Sequence, residues 1–247
     1  MKVVCIVQAR MGSERLPGKV MKRINNIPLI GYTLKRLKKS KYIDEIVLAT
    51  TIKKEDDVLV NYVEQLDVGV FRGSEIDVLE RYIKSSEKYN ADIVIRVTGD
   101  CPFVDSYIVD NVISKFLMEN LDYIRLDVPD SFIRGFDVEV FKKEILIDIR
   151  GKIDKLSENE RIPYIEHVTY YIYTHKEEYK TGVVKGSDFY SKNYRICVDT
   201  IEDFNLVEDI ISYFNNIYVS AKDIIKYIDD NKELSKKNEG IKQKIVN

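Results

Sequence analysis

Short apolar runs alternate with amphipathic stretches through the first half of the chain. The apolar runs are rich in β-branched residues, which favours strands, and the amphipathic stretches carry apolar residues at helical spacing. Leu29, Tyr32, Leu34 and Leu37 are an example of the helical spacing. The pattern predicts strands at Lys2–Val7, Glu45–Thr50, Val68–Phe71, Asp92–Val97 and Asp122–Leu126, and helices at Leu29–Lys39, Glu55–Leu66, Asp77–Tyr89 and Ser106–Asn120.

These strands are apolar on both faces and are separated by helices. Such strands indicate a mostly parallel sheet that is covered by helices on both sides. A strand–helix pair arrives about every 25 residues, which is the rhythm of a doubly wound α/β fold. We therefore expect an α/β protein with a doubly wound, mostly parallel sheet.

The second half of the chain breaks this rhythm. Phe136–Phe141 alternates between apolar and polar residues like an exposed strand. We expect a single domain over residues 1–247, with a small inserted α+β lobe at about residues 130–192. The other predicted elements are strands at Thr181–Lys185 and Tyr194–Val198, helices at Glu160–Tyr173, Ile201–Phe214 and Ala221–Asn231, and a charged tail from Lys232 to Asn247 that forms a peripheral helix or frays.

Composition narrows the class of protein. The 247 residues include 39 Lys and Arg against 41 Asp and Glu, a net charge of −2. This balance excludes nucleic-acid binding through bulk positive charge. No apolar run approaches the ~18–20 residues of a membrane helix. The cysteines Cys5, Cys101 and Cys197 form no CxxC pair, so neither a disulfide framework nor a zinc site is indicated. We expect a globular protein of the cytoplasm that contacts neither nucleic acid nor membrane.

The most informative segment is QARMGSERLPGK, which follows the first predicted strand directly. Open α/β sheets bind ligands at the carboxyl ends of their strands, so this loop lies where a ligand is expected. Gly12 and Gly18 allow tight turns that bring backbone N–H groups close to an anion. Three cations of the loop suit phosphate oxygens, namely Arg10, Arg15 and Lys19. The segment therefore predicts a phosphate-binding loop, with an ordinary basic surface loop as the alternative.

Two familiar phosphate motifs are absent from this loop. A Walker A loop requires GxxxxGK[ST], but Gly12 and Gly18 enclose five residues, and Val20 stands in place of the hydroxyl that would hold magnesium. The dinucleotide fingerprint GxGxxG is not present either.

The loop sequence resembles the signature of the cytidylyltransferases that activate bacterial 3-deoxy-2-keto sugar acids, namely 3-deoxy-manno-octulosonate and sialic acids. It is most similar to the subgroup named for spore coat polysaccharide biosynthesis. Further similar blocks follow in order and extend the resemblance over about residues 3 to 205. They are IVLATT (Ile46–Thr51), FRGS (Phe71–Ser74), VLERY (Val78–Tyr82), RVTGDCPFV (Arg96–Val104), GFDVEVF (Gly135–Phe141), EHVT (Glu166–Thr169) and RICVDTIED (Arg195–Asp203).

The resemblance implies a nucleotide-diphospho-sugar transferase-like fold and the transfer of CMP from CTP to a sugar or sugar acid, with release of pyrophosphate. It also implies Mg²⁺, a homodimer and a role in making a surface polysaccharide or glycan. The implied nucleotide-binding residues are Gln8, Ala9, Arg10, Gly12, Ser13, Arg15, Lys19, Arg72, Gly73, Ser74, Thr98 and Asp100, of which Arg15, Lys19 and Asp100 are catalytic. Arg72, Gly73 and Ser74 are expected to read the pyrimidine edge.

Two carboxylates are candidate metal ligands by the same resemblance. Asp100 and Asp199 each end a predicted strand, and magnesium prefers one or two protein carboxylates together with substrate oxygens. The alternative is that each residue caps a helix or stabilises a turn, because an Asp before a helix commonly does so.

The acceptor is expected to contact the inserted lobe. Arg134, Asp137, Glu139 and His167 are the candidate acceptor-binding residues. A solvated or dimer-facing strand is the alternative for Asp137 and Glu139, and a structural hydrogen bond is the alternative for His167. The chain departs from the octulosonate enzymes at GDCP, where they carry an acidic residue after the Asp, and the segment Tyr123–Asn193 matches only in patches.

Three other functions are alternatives at this point. Transfer to a phosphorylated acceptor would give a CDP-linked product. A glycosyltransferase of the same architecture would carry a DxD motif, but the string that comes nearest, Asp127-Val128-Pro129-Asp130, has the wrong spacing. A non-catalytic nucleotide-binding regulator would be favoured if Asp100 or Asp199 were misplaced.

Overall fold

A seven-stranded sheet forms the centre of the computed structural model, which describes residues 1–243. The strands are β1 (Val3–Gln8), β2 (Arg23–Ile24), β3 (Ile27–Pro28), β4 (Glu45–Thr51), β5 (Gly69–Gly73), β6 (Ile93–Thr98), β7 (Tyr123–Leu126), β8 (Glu139–Lys142) and β9 (Thr181–Val184). The sheet has the order β5-β4-β1-β6-β8-β7-β9, and β2 and β3 form a separate short hairpin. β8 is antiparallel to both of its neighbours, whereas all other neighbours in the large sheet are parallel.

Helices cover both faces of the sheet. They are α1 (Leu29–Leu37), α2 (Asp57–Glu64), α3 (Val78–Lys88), α4 (Ser106–Glu119), α5 (Lys143–Ile153), α6 (Glu158–Glu166), α7 (Tyr170–Thr174), α8 (Ile201–Phe214), α9 (Ala221–Asp230) and α10 (Lys232–Lys236). Within residues 1–243, none of these helices is both long enough and apolar enough to cross a bilayer.

β1 explains why the first run of the sequence is apolar at every position. Val3, Cys5 and Val7 pack with residues of α1, α4, α8 and α9, and Val4 and Ile6 pack with residues of α3 and α5. Successive side chains of a strand point to opposite faces, so a strand with helices on both faces is apolar throughout. The predicted fold class, a mostly parallel α/β sheet, is confirmed, and the five strands and four helices predicted for the first half end within two residues of the observed ends.

The prediction of an exposed strand at Phe136–Phe141 is wrong. β8 begins at Glu139 and lies inside the sheet between β6 and β7, with Val140 and Phe141 fully buried. The alternation has another cause, since the half-buried Glu139 faces a cluster of polar side chains and not solvent. β8 and β9, both from residues 130–192, belong to the same sheet as β1.

Two further predictions for the second half are wrong. The single helix expected at Glu160–Tyr173 is divided between α6 and α7, because the backbone leaves the helical conformation at His167, and Thr169 directs its hydroxyl to Glu139. Tyr194–Val198 forms no strand, and Arg195 makes one isolated bridge to Arg134. The sequence analysis also missed α5, although Leu146, Ile149 and Ile153 are buried at helical spacing.

The charged tail is described as far as Gln243. α10 follows α9 directly and Leu234 packs against the core. Residues 244–247 of the predicted tail lie outside the described residues.

Candidate active site

A cavity of about 470 Å³ opens at the carboxyl ends of β1 and β6. Gln8 and Thr98, the last residues of these strands, are register partners, so both strands end at the same edge of the sheet. The lining residues that the sequence analysis had named are Gln8, Ala9, Arg10, Gly12, Ser13, Arg15, Lys19, Thr98, Asp100, His167 and Asp199. The structure therefore brings together most of the predicted site.

The loop that follows β1 is fixed by a carboxylate that the sequence analysis missed. Asp56 is fully buried, and its Oδ1 accepts a hydrogen bond from the Met11 backbone N–H at 2.7 Å. Its Oδ2 accepts bonds from the Thr50 hydroxyl at 2.9 Å and from both the backbone and the hydroxyl of Thr51. Burial alone would raise the pKa of Asp56, but these donors outweigh burial and hold the pKa below its ordinary value.

Two glycines shape the turns around this loop. Gly18 has φ of +67° and donates its N–H to the Met11 carbonyl oxygen at 2.9 Å, which closes the loop. Such a φ is strained for residues with a Cβ. Gly99 donates to the Gln8 carbonyl oxygen at 2.8 Å, and a Cβ on Gly99 would lie 2.7 Å from the side chains of Ala9 and Ile30. The turn after β6 therefore passes close to the end of β1.

Lys19 joins the two candidate carboxylates. Its Nζ donates to Asp100 Oδ2 at 2.7 Å, to Asp199 Oδ1 at 2.8 Å and to the Val198 carbonyl oxygen at 2.7 Å. The residue is only 9% exposed. Burial alone would lower the pKa of Lys19, but the charges of Asp100 and Asp199 outweigh burial and raise it, so the ammonium stays protonated.

Asp199 is surrounded by cations. Its Oδ2 contacts Arg15 Nη2 at 2.9 Å and accepts a short hydrogen bond from Arg195 Nη2, while its Oδ1 faces Lys19. Burial alone would raise the pKa of Asp199, but these positive charges outweigh burial and lower it. Asp199 is therefore a carboxylate that stays ionised at neutral pH.

Neither carboxylate caps a helix. Thr200 is the N-cap of α8, with its hydroxyl accepting from the Asp203 N–H, and Asp105 is the N-cap of α4, accepting from the N–H groups of Tyr107 and Ile108. The caps expected as the alternative role of Asp100 and Asp199 are thus supplied by other residues.

The three residues expected to read the pyrimidine do not line the cavity. The guanidinium of Arg72 contacts the carbonyl oxygens of Thr51 and Lys53 and the carboxylate of Asp57, so it ties β5 to the segment after β4. Gly73 ends β5, and the hydroxyl of Ser74 accepts from the Asp77 N–H at 3.0 Å. The next residues of the same loop, Glu75 and Ile76, line the cavity in their place.

A second buried network forms the wall near α6 and α7. Glu139 accepts hydrogen bonds from Tyr173 (2.6 Å) and Thr169 (2.9 Å) and pairs with Arg96 Nη1 at 3.2 Å. Arg96 lines the cavity, and its buried Nε has no hydrogen-bond partner among residues 1–243. Burial alone would lower the pKa of Arg96, but the charge of Glu139 outweighs burial and raises it. Arg96 is therefore a permanent cation in the wall, and the sequence analysis did not select it, although it opens the block RVTGDCPFV.

The other expected acceptor residues divide between the cavity and its surroundings. His167 lines the cavity, and burial lowers the pKa of its ring, so the ring is neutral at pH 7. Arg134 and Asp137 do not line the cavity and face each other at 3.9 Å between Nη1 and Oδ1.

The pair Asp100 and Asp199 fits the needs of Mg²⁺. No group of three metal-ligating side chains occurs within residues 1–243, but magnesium in phosphoryl-transfer sites is held by one or two carboxylates together with substrate phosphates. Both carboxylates reach one ammonium within 2.8 Å, so they converge on one point of the cavity wall. The only hydrogen bond to Asp100 Oδ1 among the described residues comes from the thiol of Cys101 at 3.7 Å.

The cavity lies at the carboxyl edge of a parallel sheet in an α/β fold. A cation-rich loop and two convergent carboxylates line it. Together these features define the class of α/β enzymes that bind nucleoside polyphosphates. The cytidylyltransferase family profile matches residues 4–224. The chain belongs to this family, and it is a CTP-dependent nucleotidyltransferase.

Individual relatives agree with this membership. The spore coat polysaccharide biosynthesis protein SpsF of Bacillus subtilis is 33% identical over 96% of this chain and 98% of its own length. The 3-deoxy-manno-octulosonate cytidylyltransferase of Bdellovibrio bacteriovorus is 31% identical over 47% of each chain. The solved structure of a cytidylyltransferase from Leptospira borgpetersenii is 33% identical, with a TM-score of 0.88 and full coverage of both chains.

Proposed function

We propose that this enzyme transfers CMP from CTP to a hydroxyl of an acidic sugar, with release of pyrophosphate, in the synthesis of a surface polysaccharide or glycan. The observation that carries the proposal is the meeting of Lys19, Asp100 and Asp199 at one point of a cavity that the loop cations also line. Two relatives support the acceptor class, since one is named for spore coat polysaccharide and the other for 3-deoxy-manno-octulosonate.

We assign different roles in this reaction to the residues that line the cavity. Arg10, Arg15 and Lys19 bind the phosphates and offset the negative charge that moves to the leaving pyrophosphate when the acceptor oxygen attacks the α-phosphorus. The backbone of the glycine-containing loop orients the triphosphate. Asp100 and Asp199 would hold Mg²⁺, which would supply neutralisation of phosphate charge at this point of the cavity.

The acceptor lies beside the wall that contains Arg96 and His167. A fixed guanidinium pairs well with a carboxylate, which a keto sugar acid carries and a neutral sugar lacks. The neutral imidazole of His167 provides one donor and one acceptor for sugar hydroxyls. Glu139 keeps Arg96 in place from behind.

The experiment that tests the proposal is pyrophosphate release in the presence of Mg²⁺ with each of CTP, UTP, ATP and GTP, against a panel of keto sugar acids, neutral sugars and sugar phosphates. Release with CTP and a keto sugar acid, with a product whose mass equals acceptor plus CMP, supports it. Release only with sugar phosphates would establish a CDP-linked product instead. Equal release with all four nucleotides would contradict the assignment to CTP.

We propose that the enzyme is a homodimer and that it acts in the cytoplasm. Ile147 on α5 and Ile162 on α6 expose 48% and 47% of their surface, and exposed apolar side chains of this kind suit a contact with a second copy. Light scattering of the purified protein tests this: twice the chain mass supports the dimer, and 28.8 kDa contradicts it.

A further inference from the structure

The C-terminal segment 237–243 contacts the site from behind. Asn238 is 4% exposed, although both of its neighbours are exposed. Its amide Nδ2 donates to the Arg195 carbonyl oxygen at 2.9 Å and to Asp203 Oδ1 at 2.8 Å. Both partners are acceptors, so position 238 needs a side chain that donates. The buried carboxamide of Asn238 is therefore hydrogen-bonded, as buried polar groups generally are, although the adjacent Lys237 and Glu239 are exposed.

Arg195 is the group that this segment holds. Its guanidinium is engaged at all three nitrogens: Nε donates to Asp203 Oδ1 at 3.0 Å, Nη1 to Gln243 Oε1 at 2.6 Å and Nη2 to Asp199 Oδ2. A planar fork with three partners has its orientation fixed. Gln243 belongs to the C-terminal segment, whereas Asp199 lines the cavity. Arg195 therefore connects the segment to the cavity.

Asp203 completes the link from the tail to Asp199. It is fully buried, and its Oδ2 accepts from the backbone N–H groups of Asp199 (2.9 Å) and Thr200 (3.1 Å). Asp203 thus fixes the backbone of Asp199 and Arg195 fixes its carboxylate. Both of these groups depend on donors or acceptors from the tail.

We propose that segment 237–243 is a positioning element of the active site, in which Asn238 and Gln243 hold Asp203 and Arg195, and these two hold Asp199. The inference rests on the proposed function, since Asp199 is one of the two carboxylates assigned to Mg²⁺. Groups that orient a metal ligand without touching the metal change metal affinity or activity about 10- to 100-fold when they are removed.

The first test measures the Mg²⁺ concentration for half-maximal pyrophosphate release, together with kcat, in Asn238→Ala, Gln243→Ala and the control Lys242→Ala. Lys242 is an exposed residue of the same segment. We expect Asn238→Ala to raise the half-saturating Mg²⁺ about tenfold, Gln243→Ala to raise it by a smaller factor, and Lys242→Ala to leave it unchanged. A purely structural tail would lower the melting temperature and the amount of active enzyme without moving this concentration.

Half-saturating Mg²⁺ in Asn238→Ala and Gln243→Ala that equals the control value would overturn the inference. If Asn238→Ala fails to fold, Gln243→Ala decides the matter, because its side chain lies on the exposed end of the segment and its loss leaves the core intact.

The second test needs neither nucleotide nor acceptor. Arg195→Lys keeps the positive charge but loses the fork that joins Gln243 to Asp203 and Asp199, so backbone amides of segment 237–243 should exchange hydrogen faster than in wild type and in Lys242→Ala. Unchanged exchange would overturn the inference. A wild-type protein that releases no pyrophosphate from CTP would refute the proposed function separately, and the exchange result would still decide whether the tail is coupled to Arg195.

Discussion

Lys19 places a positive charge at a buried position in the wall of the cavity. The ammonium offsets the mutual repulsion of Asp100 and Asp199, and the two carboxylates offset its cost of burial. Within the predicted phosphate-binding loop, Leu16 and Lys19 are buried whereas Arg10 and Arg15 are exposed. The loop is one of the walls of the site.

Replacing Lys19 with Met keeps most of the side-chain volume and removes the charge. We expect Lys19→Met to lower the free energy of unfolding by about 3 kcal/mol, because two partly buried carboxylates lose their shared cation. Urea unfolding measures this. Lys41→Met, at an exposed position, is the control and should stay within about 0.5 kcal/mol of wild type; an equally small effect at Lys19 would contradict the described contacts.

Asp56 makes stability depend on pH in a known direction. Its pKa is lowered in the folded state, so the stabilisation is complete above the ordinary value of about 3.9 and is lost as pH falls through the lower folded pKa. We expect Asp56→Asn to cost about 2 kcal/mol near neutral pH, because an amide nitrogen would face donors. The difference from wild type should shrink as pH falls from about 4 to about 3. A difference that stays constant over that range would show that the carboxylate charge is not what holds the loop.

The elements were predictable where the apolar period was strict. β1 and α1 follow from their spacing alone, whereas β8 was misassigned because Glu139 gives it the alternation of a half-exposed strand. Its true position between β6 and β7 depends on Arg96, Thr169 and Tyr173, which lie between 30 and 43 residues away in the chain and bury the carboxylate. The local pattern of apolar and polar residues contains no information on partners that are so distant in the chain.

Glu139 holds three elements together through one carboxylate. We expect Glu139→Gln to lower the free energy of unfolding by about 3 kcal/mol, because Arg96 would lose its partner in the wall of the cavity. The variant should also raise KM for the acceptor more than KM for CTP. Glu166→Gln is the matched control, since Glu166 also lines the cavity but is exposed. Equal effects of the two substitutions on unfolding would show that the Arg96 pair contributes nothing specific.

At the scale of the whole molecule, the sheet assembles the site from distant parts of the chain. Lys19 contacts Asp100 across 81 residues and Asp199 across 180. The sequence analysis named these three residues because each stands in a block that resembles the family signature. The parallel order of β1 and β6 brings Lys19 to Asp100, and the hydrogen bond from the Val198 N–H to the Asp100 carbonyl oxygen at 2.9 Å brings Asp199 beside them. Asp56 and Arg195 were not selected as site residues, because each works through another group and neither stands in the loop that first drew attention.

The account depends most on Asp100 and Asp199 acting as one charged pair and not as helix caps. Asn is nearly isosteric with Asp but lacks the full negative charge that Mg²⁺ prefers, and the caps of α4 and α8 are other residues. The decisive measurement is therefore pyrophosphate release by Asp100→Asn, Asp199→Asn and the double variant, with folding checked by thermal melting. We expect each folded single variant to lose most of its turnover and the double variant to be hardly worse, because catalytic groups that act together are not additive. Turnover within about threefold of wild type in either single variant would contradict the site described here.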